Sequence, residues 1–260
     1  MKRKLYTLNN EIKLLQDIDN DGGQFTAEEH EYLYRNALNK TPFQTKGHLL
    51  HEFLYEDYEK LDALSFLIDQ IKKSGYKNIL SLGAGTCVLE YLLKIALPEE
   101  SKVVACDFDS FLISKAQEFF PEIIAERFDF FKDDFETILS KLNIEFDIAV
   151  FFGSAYVMND EQFTKLFRAL KKNDVKKIID FHAGYMDGKG MIFNYLKYFK
   201  NNSIIRKMFN LPPNSIRGYR GKFHGYSRSR GEIRKLYKNG GFSINGEYSR
   251  GSYKYVAVLG

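Results

Sequence analysis

Two alternating hydrophobic periods constrain the fold of this chain more than any other feature. From Tyr76 onward, short apolar runs alternate with segments of about ten residues whose apolar side chains recur every three or four positions. The runs are typical of strands buried on both faces, and the segments are typical of amphipathic helices. Because such alternation builds right-handed β-α-β units, it predicts a parallel sheet covered by helices on both sides.

The end of the chain breaks this alternation. Ser229 and Glu232 form a capping box for a last helix, and two strands joined by a short turn follow, which predicts a hairpin. The predicted fold class is α/β, with a doubly wound, mostly parallel seven-stranded sheet and an antiparallel C-terminal edge strand. The predicted parallel strands are Asn78–Leu82, Lys102–Cys106, Ile123–Phe130, Phe146–Phe152 and Lys177–Phe181. The predicted helices between them are Val88–Leu97, Phe111–Phe120, Phe135–Leu142 and Glu161–Lys171.

The first 75 residues do not show the alternation of strand and helix patterns that the rest of the chain shows. They are mixed in charge, and "LDALSFLIDQIKK" places its apolar residues on one helix face, so residues 1–75 are predicted to form an N-terminal helical cap on a domain of residues 76–260. No run approaches the ~18 apolar residues of a membrane span, so we expect a soluble, cytoplasmic protein. The two cysteines lack metal-ligand spacing, so no zinc site is predicted.

The stretch "ILSLGAGTCVLE" forms a strand, a glycine turn and the start of a helix. Gly83 and Gly85 allow a sharp turn and the close approach of a ligand to the backbone. Asp107 follows about 20 positions later at the tip of the second strand, where an acid commonly binds ribose hydroxyls. The pattern indicates a nucleoside-containing ligand, and the alternative is a strand-to-helix turn without a ligand.

Two ligand classes fit a ribose site of this kind, the dinucleotides and S-adenosylmethionine. The dinucleotide motif requires a third glycine where this chain has Val88. A phosphate-binding loop with its Lys-Ser/Thr pair is also absent from the sequence. The sequence therefore favours S-adenosylmethionine.

Over roughly residues 76–260 the sequence resembles the class I S-adenosylmethionine-dependent methyltransferases. "ILSLGAGTC" is similar to the first motif of that family, "VVACD" to the acidic end of its second strand, and "FDFFKDDF" to its third-strand region. "FDIAVFFGSAYVMND" is similar to the fourth-strand motif, and "LYKNGGFSINGEYS" with "YKYVAVLG" to the terminal helix and reversed strand. The resemblance implies a Rossmann-like methyltransferase fold, S-adenosylmethionine as cofactor and methyl transfer as activity.

The resemblance also implies roles for nine residues. The backbone cradle would be Gly83, Ala84 and Gly85, the ribose clamp Asp107, the adenine contacts Phe108 and Asp134 or Asp133, and the methionine side Phe152 and Gly153. Taken by themselves, Phe108 and Phe152 could equally be core residues, and Asp134 could cap the helix that begins at Phe135.

Two positions depart from the family pattern. Ser81 stands where an acid is frequent, and Cys87 stands where a third glycine is frequent. Both departures weaken the contacts expected at the amino-acid end of the cofactor.

Methyl transfer from a sulfonium is an in-line displacement, so most of the rate can come from positioning the acceptor. A base is needed only where the acceptor loses a proton. His182, just past the fifth strand, is the predicted base, and Tyr156 is the second catalytic candidate, with Asp180 and His224 behind them. Metal assistance would need clustered carboxylates, which Asp160 with Asp180 and His182 form poorly, so no metal is predicted.

Positive charge is concentrated late in the chain. The net charge is +4, but residues 184–240 hold thirteen Lys and Arg against Asp187 and Glu232. Residues 184–226, which include the amphipathic "MIFNYLKYFKNNSIIRKMF", are predicted to form a substrate lid. The acceptor is predicted to be a small anion, a phosphorylated, nucleotide-linked or carboxylated metabolite or saccharide, methylated on oxygen or nitrogen. Its predicted contacts are Arg217, Arg220, His224 and Tyr226.

Two alternatives remain open. The basic segment could instead track the phosphates of RNA or DNA in a nucleic-acid methyltransferase. Against this stand the modest net charge and the sequence "FFGSAY" where an amino-methylating motif would lie. The second alternative is a non-catalytic binding protein of the same fold, which Ser81 and Cys87 suggest.

Overall fold

A computed structural model describes residues 3–6, 45–129, 132–188 and 223–260 of this chain, without the side chains of residues 3–6, 52, 56 and 223–225. The strands are β1 (Arg3–Tyr6), β2 (Asn78–Leu82), β3 (Lys102–Asp107), β4 (Ile124–Arg127), β5 (Ile148–Phe152), β6 (Lys177–Phe181), β7 (Phe223–Ser227), β8 (Ile244–Arg250) and β9 (Tyr253–Leu259). The helices are α1 (Lys46–Glu56), α2 (Lys60–Ser74), α3 (Val88–Ala96), α4 (Ser110–Phe119), α5 (Phe135–Leu142), α6 (Asp160–Lys172) and α7 (Arg230–Asn239).

Seven of these strands form one sheet in the order β4-β3-β2-β5-β6-β9-β8. The first five strands in this order are parallel to one another, and β9 is antiparallel to both β6 and β8. The predicted fold class is confirmed, and the hairpin inserts its second strand beside β6 and leaves β8 at the edge. The strand order reverses between β2 and β5, and ligands of open α/β sheets bind at the carboxyl ends of the strands at such a point.

Helices cover both faces of this sheet, as the burial of its strands requires. One core joins the sheet to α1, α2, α3 and α4, and the other joins it to α5, α6 and α7. Helices α1 and α2 belong to the predicted N-terminal cap, yet their apolar faces pack in the same core as α3 and α4. The division of the chain at residue 75 stays a prediction.

Capping and turn chemistry explain several element boundaries. Gly75 ends α2 in the left-handed conformation, and Asn159 with Gln162 forms the predicted capping box of α6. Strand β5 begins two residues later than predicted. Just before it, the Asp147 carboxylate accepts hydrogen bonds from the backbone N–H groups of Lys77 and Asn78 at 3.0 and 3.1 Å, which ties the start of β5 to the start of β2.

A second, two-stranded sheet pairs β1 with β7 in antiparallel register. Within the described part of residues 1–75, β1 therefore adds a strand to a segment predicted to be helical. The predicted amphipathic helix in the lid lies outside the described residues. No described helix is both long enough and apolar enough to cross a membrane.

Candidate functional site

The glycine turn after β2 is held by the neighbouring strand. The backbone N–H groups of Gly83 and Ala84 donate to the Cys106 carbonyl at 2.7 and 3.0 Å. Gly83 and Gly85 have φ of 77° and 56°, a region that a side chain disfavours. The loop is half-buried, so its backbone remains open to a ligand.

Asp107 lies at the tip of β3 against this loop. It is 6% exposed, and its carboxylate accepts hydrogen bonds from the backbone N–H groups of Gly85 at 2.8 Å and Asp109 at 3.0 Å. Burial raises the pKa of Asp107 to about 6, although hydrogen bonds from the backbone N–H groups of Asp109, Gly85 and Phe108 favour the ionised form. A carboxylate has about four acceptor sites, so Asp107 keeps acceptor capacity for a hydroxyl group of a ligand. The structure thus brings Gly83, Ala84, Gly85 and Asp107 together.

Glu90, which the sequence analysis did not single out, lies beneath the same loop. It is the third residue of α3 and 1% exposed, and its Oε1 accepts a hydrogen bond from the Ser81 hydroxyl at 2.6 Å. Burial, together with a smaller effect of the nearby Asp107, raises the pKa of Glu90 to about 7. A lone acid inside the apolar stretch "CVLEYLL" is the sequence signal that could have identified it.

Cys87 precedes α3 with φ 60° and ψ 15°. A residue with a side chain is uncommon in this left-handed conformation, which explains why the family frequently has glycine there. The Cys87 thiol is buried, and burial raises its pKa well above the ordinary range. Cys87 is therefore a strained packing residue rather than an ionised thiol.

Three acids, Asp129, Asp133 and Asp134, follow β4, and the predicted adenine contact included only the last two. Asp129, 3% exposed, directly follows Phe128, whose N–H donates to the Asp107 carbonyl at 2.8 Å. Asp133 accepts a hydrogen bond from the Asp129 N–H at 2.8 Å and pairs with Arg127 at 3.3 Å, so it holds this loop. Asp134 stands at the N-cap of α5, but its side chain makes no capping bond. Asp129 is a buried acid at a strand end that the sequence analysis passed over.

Phe108 follows Asp107 and is half-buried, so part of its surface is accessible beside the clamp. Phe152 is also half-buried, with its ring stacked on Phe181 at 4.7 Å. Both rings therefore combine a packing contribution with an accessible surface.

The end of β5 approaches the glycine loop. The Ser154 hydroxyl donates to the Leu82 carbonyl, which ties the β5 turn to the end of β2. Gly153 has φ 69°, and a Cβ there would lie 3.2 Å from Cε1 and 3.5 Å from the hydroxyl of Tyr253. Tyr253, the first residue of β9, thus joins the site from the reversed strand.

Tyr156 and Tyr226 lie against Gly184. A Cβ at Gly184 would lie 2.6 Å from the Tyr156 Cβ and would also collide with the Tyr226 carbonyl. The structure therefore brings one predicted catalytic residue next to one predicted substrate residue. Tyr226 also lines a cavity of about 720 Å³ between α6 and α7, with Arg228 beside it.

His182 lies in a buried polar cluster between β6 and α7. Its Nδ1 is 2.9 Å from Oδ2 of Asp180, which also accepts the Tyr237 hydroxyl at 2.7 Å. The His182 side chain is fully buried, and its Nε2 has no hydrogen-bond partner among the described residues. Asp180 can thus orient the imidazole, as carboxylates orient catalytic histidines.

The side chains of three predicted substrate contacts lie outside the described atoms. Arg217 and Arg220 lie outside the described residues, and His224 lies in β7 with its side chain outside the described atoms. In the described ranges no three His, Cys, Asp or Glu side chains cluster as metal ligands would.

Comparisons with known proteins place this fold among methyltransferases. No protein-family model and no curated protein matches the sequence. Human N-acetylserotonin methyltransferase in complex with S-adenosylmethionine is similar in structure, with a TM-score of 0.55 and 14% identity over 96% of this chain. This chain spans 62% of the length of that structure.

Two further structures are similar to this chain over most of their own length. An S-adenosylmethionine-dependent methyltransferase from Clostridium acetobutylicum has a TM-score of 0.53 and 14% identity, covering 82% of this chain and 96% of its own. Magnesium protoporphyrin IX methyltransferase from Synechocystis, with bound S-adenosylhomocysteine, has a TM-score of 0.50 and 15% identity, covering 88% and 97%. This chain therefore has the class I S-adenosylmethionine-dependent methyltransferase fold.

Proposed function

We propose that this protein is an S-adenosylmethionine-dependent methyltransferase that methylates an oxygen or nitrogen of a small anionic acceptor. The observation that carries the proposal is the contact between Asp107 and the glycine loop, at the point where the strand order reverses. There a carboxylate with free acceptor capacity lies beside an accessible backbone turn, which suits a ribose joined to a further polar group.

Electrostatics favours S-adenosylmethionine over a dinucleotide. Asp107 and Glu90 are both buried beside the loop, and neither forms an ion pair with a described Lys, Arg or His. A pyrophosphate would meet two carboxylates, whereas the sulfonium and ammonium of S-adenosylmethionine are attracted by them. This supports the methyl donor as the cofactor.

The anionic acceptor rests on the basic segment of residues 184–240. Part of its positive charge is neutralised locally, because Arg228 pairs with Asp160 and both Arg230 and Arg234 pair with Glu247. The remaining excess still supports an acceptor bearing phosphate or carboxylate. The free thiols of Cys87 and Cys106 fit a reducing compartment, so we propose that the enzyme acts in the cytoplasm.

Isothermal titration calorimetry with S-adenosylmethionine tests the cofactor. We expect the wild type to bind and Asp107→Asn to bind at least about 10-fold more weakly, because the amide loses the charge that strengthens its bonds to ribose hydroxyl groups. NADH and ATP should not bind.

Glu99→Gln is the matched control, since Glu99 is an exposed acid beyond the end of α3. This variant should bind like the wild type. Absence of binding to the wild type, or equal affinity after Asp107→Asn, would refute the proposed cofactor site.

We propose His182 as the general base for a hydroxyl acceptor, with Tyr156 as the alternative. His182→Gln should retain affinity for the cofactor and lower the turnover about 100-fold or more, the usual contribution of a positioned base. The measurement is transfer of labelled methyl to acceptors found by screening small phosphorylated and carboxylated hydroxy compounds.

Tyr237→Phe controls for a purely structural role of the cluster. It removes the other hydrogen bond to the same Asp180 oxygen and leaves the imidazole in place. The turnover of Tyr237→Phe should stay within a few-fold of the wild type. Equal losses of turnover in both variants, or unchanged turnover in His182→Gln, would contradict the assignment of the base.

A further inference from the structure

We propose that Glu90 binds the ammonium group at the amino-acid end of the cofactor, with its carboxylate replacing the acid that the family frequently has at the position of Ser81. This inference rests on the proposed cofactor and assigns one further binding residue in its site. The carboxylate comes from helix α3 rather than from strand β2.

The Glu90 carboxylate lies next to the side chain of Ser81. Ser81 lies two residues before Gly83, and its hydroxyl donates to Oε1 of Glu90 at 2.6 Å. An acid at position 81 would place its oxygens where the Ser81 hydroxyl now meets this carboxylate. The negative charge missing from the strand is thus supplied, within one hydrogen bond, by the helix.

One of the two Glu90 carboxylate oxygens lacks a hydrogen-bond partner in the described part of the chain. Oε2 of Glu90 is buried and has no hydrogen-bond partner among the described residues. The charged group that lowers the pKa of Glu90 is Lys60, but the Lys60 ammonium forms its ion pair with Asp57 at 2.9 Å. A buried carboxylate without a cation is costly, so a ligand with a cation would be strongly attracted.

A purely structural role would not require an acid at this position. The single hydrogen bond from Ser81 would tie α3 to β2 equally well if its acceptor were a glutamine amide oxygen. A glutamine would also avoid the electrostatic effect of Asp107. The tie alone therefore does not account for a charged group at this position.

The direction of the ligand follows from the neighbours of Glu90. Asp107 marks the ribose side of the loop. On the other side, Glu90 acts electrostatically on Tyr253, and Tyr253 lies against Gly153 on the predicted methionine side. A ligand that places its ribose on Asp107 therefore directs its amino-acid end toward Glu90.

Calorimetry with two nucleosides isolates this contact. S-adenosylhomocysteine carries the ammonium, whereas 5′-methylthioadenosine shares its adenosine and thioether but lacks the amino-acid tail. Glu90→Gln should weaken S-adenosylhomocysteine about 10- to 100-fold, the usual effect of one charge-assisted bond, and leave 5′-methylthioadenosine within about 3-fold. Asp107→Asn should weaken both compounds.

Moving the acid from position 90 to position 81 should restore the binding that Glu90→Gln loses. In Ser81→Asp combined with Glu90→Gln, the carboxylate moves to the strand and the glutamine amide can donate to it. This double variant should bind S-adenosylhomocysteine within about 3-fold of the wild type. On the wild type alone, S-adenosylhomocysteine without its amino group should bind at least about 10-fold more weakly than the parent compound.

The outcomes separate this inference from the proposed function. Unchanged S-adenosylhomocysteine binding in Glu90→Gln, or an equal loss for both nucleosides, would overturn the role of Glu90 and leave the cofactor assignment intact. Equal affinity of the wild type for the parent and deaminated compounds would do the same. A wild type that binds neither S-adenosylmethionine nor S-adenosylhomocysteine would overturn the proposed function itself.

Discussion

At the scale of single residues, the site combines positions that follow a regular spacing with positions that do not. The two glycines and Asp107 could be predicted, because a strand, a turn and a second strand fix their separation along the chain. Glu90 could not be assigned in the same way, since its partner Ser81 is nine residues away in another element. The hairpin that contains Tyr253 could be predicted from its turn, but the position of β9 beside β6, which brings Tyr253 to the site, depends on pairing between distant strands.

Cys87 provides a test of backbone strain at this loop. Its φ of 60° costs a residue with a side chain about 1 kcal/mol, and glycine avoids this cost. We expect Cys87→Gly to be more stable than Cys87→Ala by about 1 kcal/mol in chemical denaturation, although both lose the buried sulfur. At Cys106, buried in the extended β3, the order should reverse, with alanine more stable than glycine. Alanine as stable as glycine, or more stable, at position 87 would show that the left-handed conformation is not under strain.

At the scale of elements, hydrophobic periodicity and capping residues were sufficient to predict the strands and helices of the doubly wound core. Strands β2 and β6 and helix α5 have the predicted bounds, and the other parallel strands and their connecting helices lie within a few residues of them. Each of these elements is specified by local pattern, because buried strands are apolar throughout and helices carry one apolar face.

Contacts between distant segments account for what local patterns missed. Strand β1 has four residues and pairs with β7 more than 200 positions away, so neither its length nor its composition marks it as a strand. Arg228, 3% exposed, bonds the Met158 carbonyl at 2.6 Å and Asp160 at 3.1 Å. It fixes the end of β7 to the start of α6. From the sequence alone, Arg228 was only one of the basic residues of the segment 184–240.

At the scale of the whole molecule, buried acids without an ion pair and an acid with two ion pairs act in opposite directions on the stability. Burial raises the pKa of Asp107 to about 6 and of Glu90 to about 7, above their ordinary values of 3.8 and 4.5. The ion pairs of Glu247 with Arg234 and Arg230 instead hold the pKa of Glu247 well below its ordinary range. The two buried acids lie at the proposed ligand site, so the molecule carries unfavourable charge where it would bind a cation.

This distribution predicts how the stability of the ligand-free protein depends on pH. An acid with a higher pKa in the folded state binds more protons when folded, so its contribution to the free energy of unfolding decreases as the pH rises between its two values. For Asp107 and Glu90 this loss extends from about pH 4 to about pH 7, whereas the contribution of Glu247 is lost as the pH falls below about 4.5. Stability should therefore be greatest near pH 5 and decline toward pH 8.

Glu90→Gln should remove much of that decline. An amide has no charge to bury, so at pH 8 the variant should be more stable than the wild type by about 2 to 3 kcal/mol, while the two should be equal near pH 4.5. Urea unfolding across pH 4.5 to 8 measures the difference, and the exposed Glu99→Gln should follow the wild type throughout.

Saturating S-adenosylmethionine should stabilise the wild type more than Glu90→Gln at pH 8, because a bound ammonium compensates the same charge that the amide removes. A pH-independent difference between the proteins would mean that Glu90 is not ionised in the folded state, and it would leave the cofactor without the proposed partner.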